Sequence, residues 1–127
     1  METTDHLAIL DCTELDEICD GDEPLRRQLT TMFADQAGAA ITELAAAIVA
    51  GDSTVIQRRA HALKGNAGIL GAKRLAAIAN ELYECAAGDR LAEAPRQMTL
   101  LEHVYGLTSA AMNADLAGAP LRSATAA

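Results

Sequence analysis

Apolar residues recur along this chain at steps of three and four, and no stretch shows the strict alternation of a half-buried strand. Leu15, Ile18 and Cys19 follow Thr13, which predicts a short first helix capped by Thr13 and stopped at Gly21. Asp22 then precedes Pro24, an N-cap followed by a first-turn proline. From Leu25 onward, Leu29, Met32, Phe33, Ala37, Ala40, Ile41, Leu44, Ala47 and Ile48 mark one face of a long amphipathic helix ending at Gly51. Asp52 or Ser53 caps a third helix that reaches about Gly71. A fourth covers Ala72 to Ala87 and stops at Gly88, and a fifth starts near Leu91 or Pro95 and runs to about Leu116. Ala117 to Ala127 is small and polar and predicts a frayed tail. Short connections between long helices predict antiparallel neighbours. The expected fold is therefore all-α, an antiparallel up-and-down four-helix bundle with a short extra N-terminal helix.

Composition narrows the classes. The chain has 127 residues, 50% of them hydrophobic, enough for one domain with its own core, expected from about 10 to 116. The aromatics are Phe33, Tyr83 and Tyr105, too few for an all-β domain. Ten Lys and Arg against 18 Asp and Glu give a net charge of −8, which disfavours nucleic acid as a partner. The longest wholly apolar run, Leu44 to Ala50, is too short to span a bilayer, so no membrane association is expected. The first residues are acidic where a signal peptide would be basic. Cys12, Cys19 and Cys85 form no CxxC pair. They read as small core or boundary residues with reduced thiols, which points to the cytoplasm. No sustained heptad seam appears, and a monomer is expected.

Charge is uneven along the chain. From Met1 to Leu25 there are nine acids and no Lys or Arg. From Gln57 to Leu75 there are five bases, Arg58, Arg59, Lys64, Lys73 and Arg74, and no acid. An acidic chain with one basic island suggests an anionic partner or ligand there, although charge alone favours a plain solvated segment.

The residues inside the island change that balance. On a helix, Ile56, Ala60, Leu63, Ala67 and Leu70 share one face, the core stripe. His61 lies well over a right angle from the centre of that stripe, with Gln57, Arg58, Lys64, Gly65 and Gly68 as its surface neighbours. Each interior glycine costs about 0.8–1 kcal/mol relative to alanine. Either a neighbouring helix packs closely on Gly65 and Gly68, or the missing side chains let another protein's surface come down onto the imidazole. Their position on the histidine side favours the second reading.

A neutral, exposed imidazole is a nucleophile. Lys64 and Arg58 are cations suited to the oxygens of a phosphoryl group carried on it, with Arg58 expected to contribute less. No Asp or Glu lies between Asp52 and Glu81 to orient the ring as a general base. A metal site would want a second ligand at helical spacing, and His61 has no His or acid three or four residues away. Gln57, one turn earlier, is a candidate for a hydrogen bond to the imidazole or to a phosphoryl group. Gly65-x-x-Gly68-x-x-Gly71 lacks the spacing and preceding strand of a nucleotide loop, and His6 and His103 lie outside any motif.

The run Ala60-His61-Ala62-Leu63-Lys64-Gly65-Asn66-Ala67-Gly68-Ile69-Leu70-Gly71 resembles the AHxLKGxxxxLG signature of histidine-containing phosphotransfer domains. The likeness extends over about Leu10 to Leu116. Leu29 to Phe33, Gly51-Asp52 and Leu75 to Glu84 are similar to the family's neighbouring segments. Asn66 departs from the family's usual Ser or Ala and reads as neutral. Tyr83 and Cys85 fall where the family varies. The resemblance implies a four-helix bundle with a short N-terminal helix over one end. His61 would take a phosphoryl group from the aspartate of one response-regulator receiver domain and pass it to another. The ring nitrogen used would be Nε2, the one farther from the backbone. The histidine helix and its neighbour would dock on the receiver, with Arg58, Gly65 and Gly68 in the contact and Lys64 stabilising the charge. The domain would need no cofactor of its own, since the Mg²⁺ belongs to the receiver. A hybrid or separate histidine kinase would supply the pathway, because the chain has no P-loop, kinase glycine box or dimerisation helix pair of its own. A stand-alone phosphocarrier is the leading expectation. The alternatives are a phosphoacceptor domain related to a chemotaxis-type kinase, and a receiver-binding helical adaptor without transfer chemistry.

Overall fold

A computed structural model describes residues 4–118 and the backbone of 123–124. It contains five α-helices: α1 (Thr13–Cys19), α2 (Glu23–Ala50), α3 (Ser53–Leu70), α4 (Lys73–Ala87) and α5 (Ala94–Leu116). Local chemistry sets most of their ends. The Asp22 carboxylate accepts the Leu25 N–H at 3.0 Å and Pro24 sits in the first turn of α2. The Asp52 carboxylate does the same for Val55 at 3.2 Å and caps α3. Gly51 and Gly71 close α2 and α3 in the left-handed region, at φ 68° and 97°. A turn of 3₁₀ helix, Leu91–Glu93, leads into α5, whose first turn carries Pro95.

Three expectations need correction. Thr13 is the first residue of α1 rather than its cap. Cys12 holds the cap position, and the Asp11 carboxylate accepts from both the Thr13 amide (3.1 Å) and its hydroxyl (2.7 Å). A two-residue strand pair is also present: β1 (Leu10–Asp11) runs antiparallel to β2 (Ser123–Ala124). Two residues are too few to show an alternating pattern. Part of the segment expected to fray therefore pairs with the N-terminal segment, and the rest of that expectation, over 119–122 and 125–127, lies outside the described residues. Finally, α2 is long and apolar enough to cross a membrane by length and composition, with a mean hydropathy of 1.3 over its most apolar stretch. Thr42 and Glu43 break its contiguous apolar run without pulling down the average. Here α2 packs on α1, α3 and α5 and buries Phe33, Ala37, Leu44 and Ala47 in the core.

The core is shared by α2 to α5. Helix α3 contacts α2 and α4, and α5 contacts α4 and α2, so the four close a ring. The expected stripe of α3, Ile56, Ala60, Leu63, Ala67 and Leu70, is wholly buried and meets Leu75, Ile78, Ala79 and Leu82 of α4 in the same core cluster. Two buried arginines fix the periphery. Arg26 of α2 binds Asp16 of α1 (2.8 Å) and forks onto Asp115 of α5 through both terminal nitrogens. These two carboxylates hold its guanidinium well above its ordinary pKa, Asp115 contributing most. Arg74 of α4 reaches back to the N-terminal segment. Its side chain donates to the carbonyls of Leu7 (3.0 Å) and Asp5, and its amide donates to Ala8 (3.0 Å). Beside it the Asp11 amide donates to the Gly71 carbonyl at 2.8 Å. A Cβ at Gly71 would lie 1.7 Å from the Asp11 carbonyl oxygen, so that position must be glycine for space as well as for its positive φ.

Candidate functional site

The outward face of α3 carries the site. Because α3 buries one stripe against α2 and α4, the residues opposite are solvent-facing, and His61, Arg58, Lys64 and Gly65 are all exposed. Among the described residues the His61 side chain makes no hydrogen bond. Its ring meets one other ring, that of Tyr83 on α4, with centroids 5.8 Å apart and planes tilted by 49°. A shallow cleft of about 360 Å³ opens beside it, lined by Thr54, Gln57, Arg58, His61 and Tyr83.

Gln57 does not reach the imidazole. The Ser53 hydroxyl gives its proton to the Ala86 carbonyl at 2.9 Å, and its oxygen accepts the Gln57 side-chain amide at 3.0 Å. Half-buried Gln57 is thus tied back toward the start of α3 and contributes a cleft wall rather than a bond to His61.

The basic island is not a uniform patch. Arg59 pairs with Glu43 of α2 at 2.7 Å, Lys73 pairs with Asp11 at 3.5 Å, and Arg74 is buried against the N-terminal backbone. Among the described residues, Arg58 and Lys64 are the members of the island whose side chains make neither an ion pair nor a hydrogen bond, and they flank His61 three residues before and three after. By helix geometry both stand about 60° from His61. Side chains on a helix lean toward its N-terminus, so Lys64 leans over the histidine, while Arg58 leans away into the cleft wall. Arg58 thus lines the cleft, but its side chain is directed away from the imidazole.

The glycines face open space. A Cβ built on Gly65 or on Gly68 meets no atom within 4 Å, which removes helix packing as the reason for them. Past them, Leu15, Leu29, Met32, Phe33, Ile69 and Leu70 line an apolar groove of about 170 Å³ where α1, α2 and α3 meet. Met32 is 46% exposed and Ile69 51%. Asn66 is not an idle surface residue: its amide donates to the Gln36 side-chain carbonyl of α2 at 3.3 Å, at the polar edge of this groove.

Tyr83 is the site residue that sequence reasoning passed over. It follows Leu82 in α4 and sits half-buried at the edge of that helix's core stripe. A tyrosine at a stripe edge, in a chain with three aromatics, was the available signal. His6 and His103 are exposed and outside the cleft. No group of three or more His, Cys, Asp or Glu among the described residues could hold a metal ion.

The sequence profile of the Hpt domain matches residues 28–117, which include all of α3 and α4. The chain belongs to the Hpt domain family. Its fold agrees: the crystal structure of histidine-containing phosphotransfer protein B (HptB) from Pseudomonas aeruginosa PAO1 is similar with a TM-score of 0.81. That protein is 26% identical, and the match covers 86% of this chain and 95% of HptB. Comparison with curated protein sequences gave no match. This Hpt domain is a histidine phosphocarrier of a phosphorelay, and its matched span contains every residue of the cleft, from Thr54 to Tyr83.

Proposed function

We propose that His61 accepts a phosphoryl group from the aspartate of one response-regulator receiver domain and hands it to the aspartate of another. The observation that carries this reading is the company His61 keeps. It is an exposed imidazole in the Hpt-matched helix, flanked by two unpaired cations and followed by two glycines over empty space.

In the forward step the Nε2 lone pair attacks phosphorus in line with the bond to the aspartyl oxygen. That P–O bond breaks and its electron pair leaves as the aspartate carboxylate. The proton on Nδ1 stays, so the phosphorylated ring carries a positive charge that offsets part of the phosphoryl charge. Transfer onward is the reverse reaction with a second carboxylate. Lys64 and Arg58 supply fixed positive charge where the phosphoryl oxygens sit, which lowers the barrier by electrostatic stabilisation. Gln57 shapes the cleft in which this happens. Mg²⁺ comes with the receiver.

Docking uses the open ground over Gly65 and Gly68, where a receiver's active-site edge can approach the imidazole, with Arg58 at the rim for its carboxylates. The apolar groove with Met32 and Ile69 offers surface whose burial would add affinity. The ring of helix contacts, and the way Ser53 meets Ala86 while His61 meets Tyr83, support an antiparallel up-and-down four-helix bundle as the frame. Phosphoryl groups enter the relay from a hybrid or separate histidine kinase acting through a receiver, and this domain has no kinase activity of its own. The three buried free thiols suit a reducing cytoplasm.

The test is incubation with a phosphorylated receiver, followed by acid treatment of the label. Wild type should take up acid-labile, base-stable phosphate and His61→Gln none. Label in His61→Gln at the wild-type level, or acid-stable label, refutes the assignment.

A further inference from the structure

We infer that Tyr83 is a positioning residue for His61: its ring fixes the orientation of the imidazole from α4. The inference rests on the phosphoacceptor reading of His61 and adds to it the question of what holds the ring. Among the described residues no side chain or backbone group hydrogen-bonds the His61 side chain, and Gln57, the polar neighbour one turn away, is engaged with Ser53. What remains is Tyr83. Its ring centroid lies 5.8 Å from that of His61 at a 49° tilt, within the range of a favourable aromatic pair. The backbone under both residues is held firmly. Leu63 and Leu82, their near neighbours in α3 and α4, are buried in the shared core, and the Ser53–Ala86 hydrogen bond pins the two helices next to the cleft. Tyr83 is itself half-buried, with few rotamers open to it, so it presents a fixed surface to an otherwise untethered ring.

Such a wall acts on the chemistry through orientation. An exposed histidine on a helix exchanges between side-chain rotamers, and in-line attack needs one nitrogen aimed at phosphorus. A ring packed on one side against Tyr83 spends more of its time in one orientation, with its other side turned to the cleft and the incoming donor. The contact is one of ring against ring, and no hydrogen bond joins the tyrosine hydroxyl to His61, so phenylalanine should serve as well.

The experiment compares wild type, Tyr83→Phe and Tyr83→Ala, with two readouts. The first is NMR of the unphosphorylated protein: the ring-current shift of the His61 ring protons and the χ1 couplings that report its rotamer averaging. The second is the rate of His61 labelling by phosphoramidate, a donor too small to need docking. In Tyr83→Ala the ring-current shift should vanish, the couplings should move toward averaged values, and labelling should slow by about 3–10-fold. Tyr83→Phe should keep the wild-type couplings and rate, which a hydroxyl-based or purely solvating role would not allow. Unchanged couplings and rate in folded Tyr83→Ala overturn the inference, as does a Phe variant that behaves like Ala. If Tyr83→Ala proves unfolded, Tyr83→Leu, which keeps bulk without an aromatic ring, takes its place under the same criteria. Failure of the phosphoacceptor reading is separate: wild type itself would then take no label, whatever the couplings of His61.

Discussion

Replacing Gly68 by glutamine separates what the fold needs at this position from what a partner needs. Gly68 lies in the helical region of α3, and a Cβ there meets nothing within 4 Å. The substitution therefore introduces no clash within the domain. Glutamine is a much better helix former, so the fold should gain about 0.5–1 kcal/mol. For a domain of this size that raises the melting temperature by roughly 2–5 °C. The partner meets the opposite effect. A glutamine side chain stands about 4–5 Å off the helix backbone, on the face that carries His61, whereas in-line transfer needs the reacting atoms within about 3–3.5 Å and misplacement by about 1 Å costs up to about 100-fold. Transfer from a phosphorylated receiver should fall by about 100-fold. Labelling by phosphoramidate should not change, since that donor does not dock. Thermal unfolding, receiver transfer and phosphoramidate labelling on one purified sample complete the assay. A stable variant with normal receiver transfer refutes the docking role of the glycines. A loss of about 1–3 kcal/mol of stability refutes the open-space argument, because that is the signature of an overpacked interior.

Lys64→Ala and Arg58→Ala should each slow receiver transfer, Lys64→Ala by about 10-fold, equivalent to about 1.4 kcal/mol. Arg58→Ala should have the smaller effect because its side chain leans away from His61, and quench-flow transfer rates within two-fold of wild type for both would reduce them to surface cations. Gly71→Ala should lose at least about 2–3 kcal/mol in urea unfolding, from the left-handed φ and the broken Asp11 bond; a loss below about 1 kcal/mol would mean the N-terminal segment moves aside freely. Asp11 supplies a pH dependence. Its carboxyl is held below the ordinary value of 3.8, first by the Thr13 hydroxyl and amide and then by Lys73. Its folded pKa being depressed, its charge stabilises the fold above pH 3.8 and that contribution is lost as pH falls through the folded value. Asp11→Asn should thus unfold more easily than wild type at pH 7, with the gap narrowing in denaturant titrations below pH 3.8; a gap that stays constant with pH contradicts the assignment.

The helices were legible because their ends are written locally. Asp22-x-x-Leu25, Gly51-Asp52 and Gly71 each act within a few residues of themselves, and the α3 stripe repeats with the helical period. His61 stood out for the same reason, since its neighbours lie on its own helix. What escaped depends on partners remote in sequence. Tyr83 meets His61 only once α3 and α4 are paired. Arg59, Lys73 and Arg74 look alike in the chain, yet Glu43, Asp11 and the Leu7 carbonyl engage them differently. Gln57 was read from its spacing to His61, but Ser53 competes for its amide at the same helical distance on the other side. The three glycines of the signature likewise serve different ends: Gly65 and Gly68 face open space, and Gly71 underlies a crossing backbone.

That crossing backbone has a consequence for how the domain can vary. Residues 5–11 are gripped through carbonyls and an amide: Arg74 takes the oxygens of Asp5, Leu7 and Ala8, and the Gly71 carbonyl takes the Asp11 N–H. Peptide groups are common to every sequence, so these bonds survive almost any exchange of side chains there, provided Ile9 and Leu10 still fill their buried sites and no proline replaces Asp11. The Hpt profile begins at residue 28, past this segment. A strap held by its main chain leaves little imprint on residue identity, so it can diverge between relatives, or be rewritten by design, while Arg74 and Gly71 stay where they are.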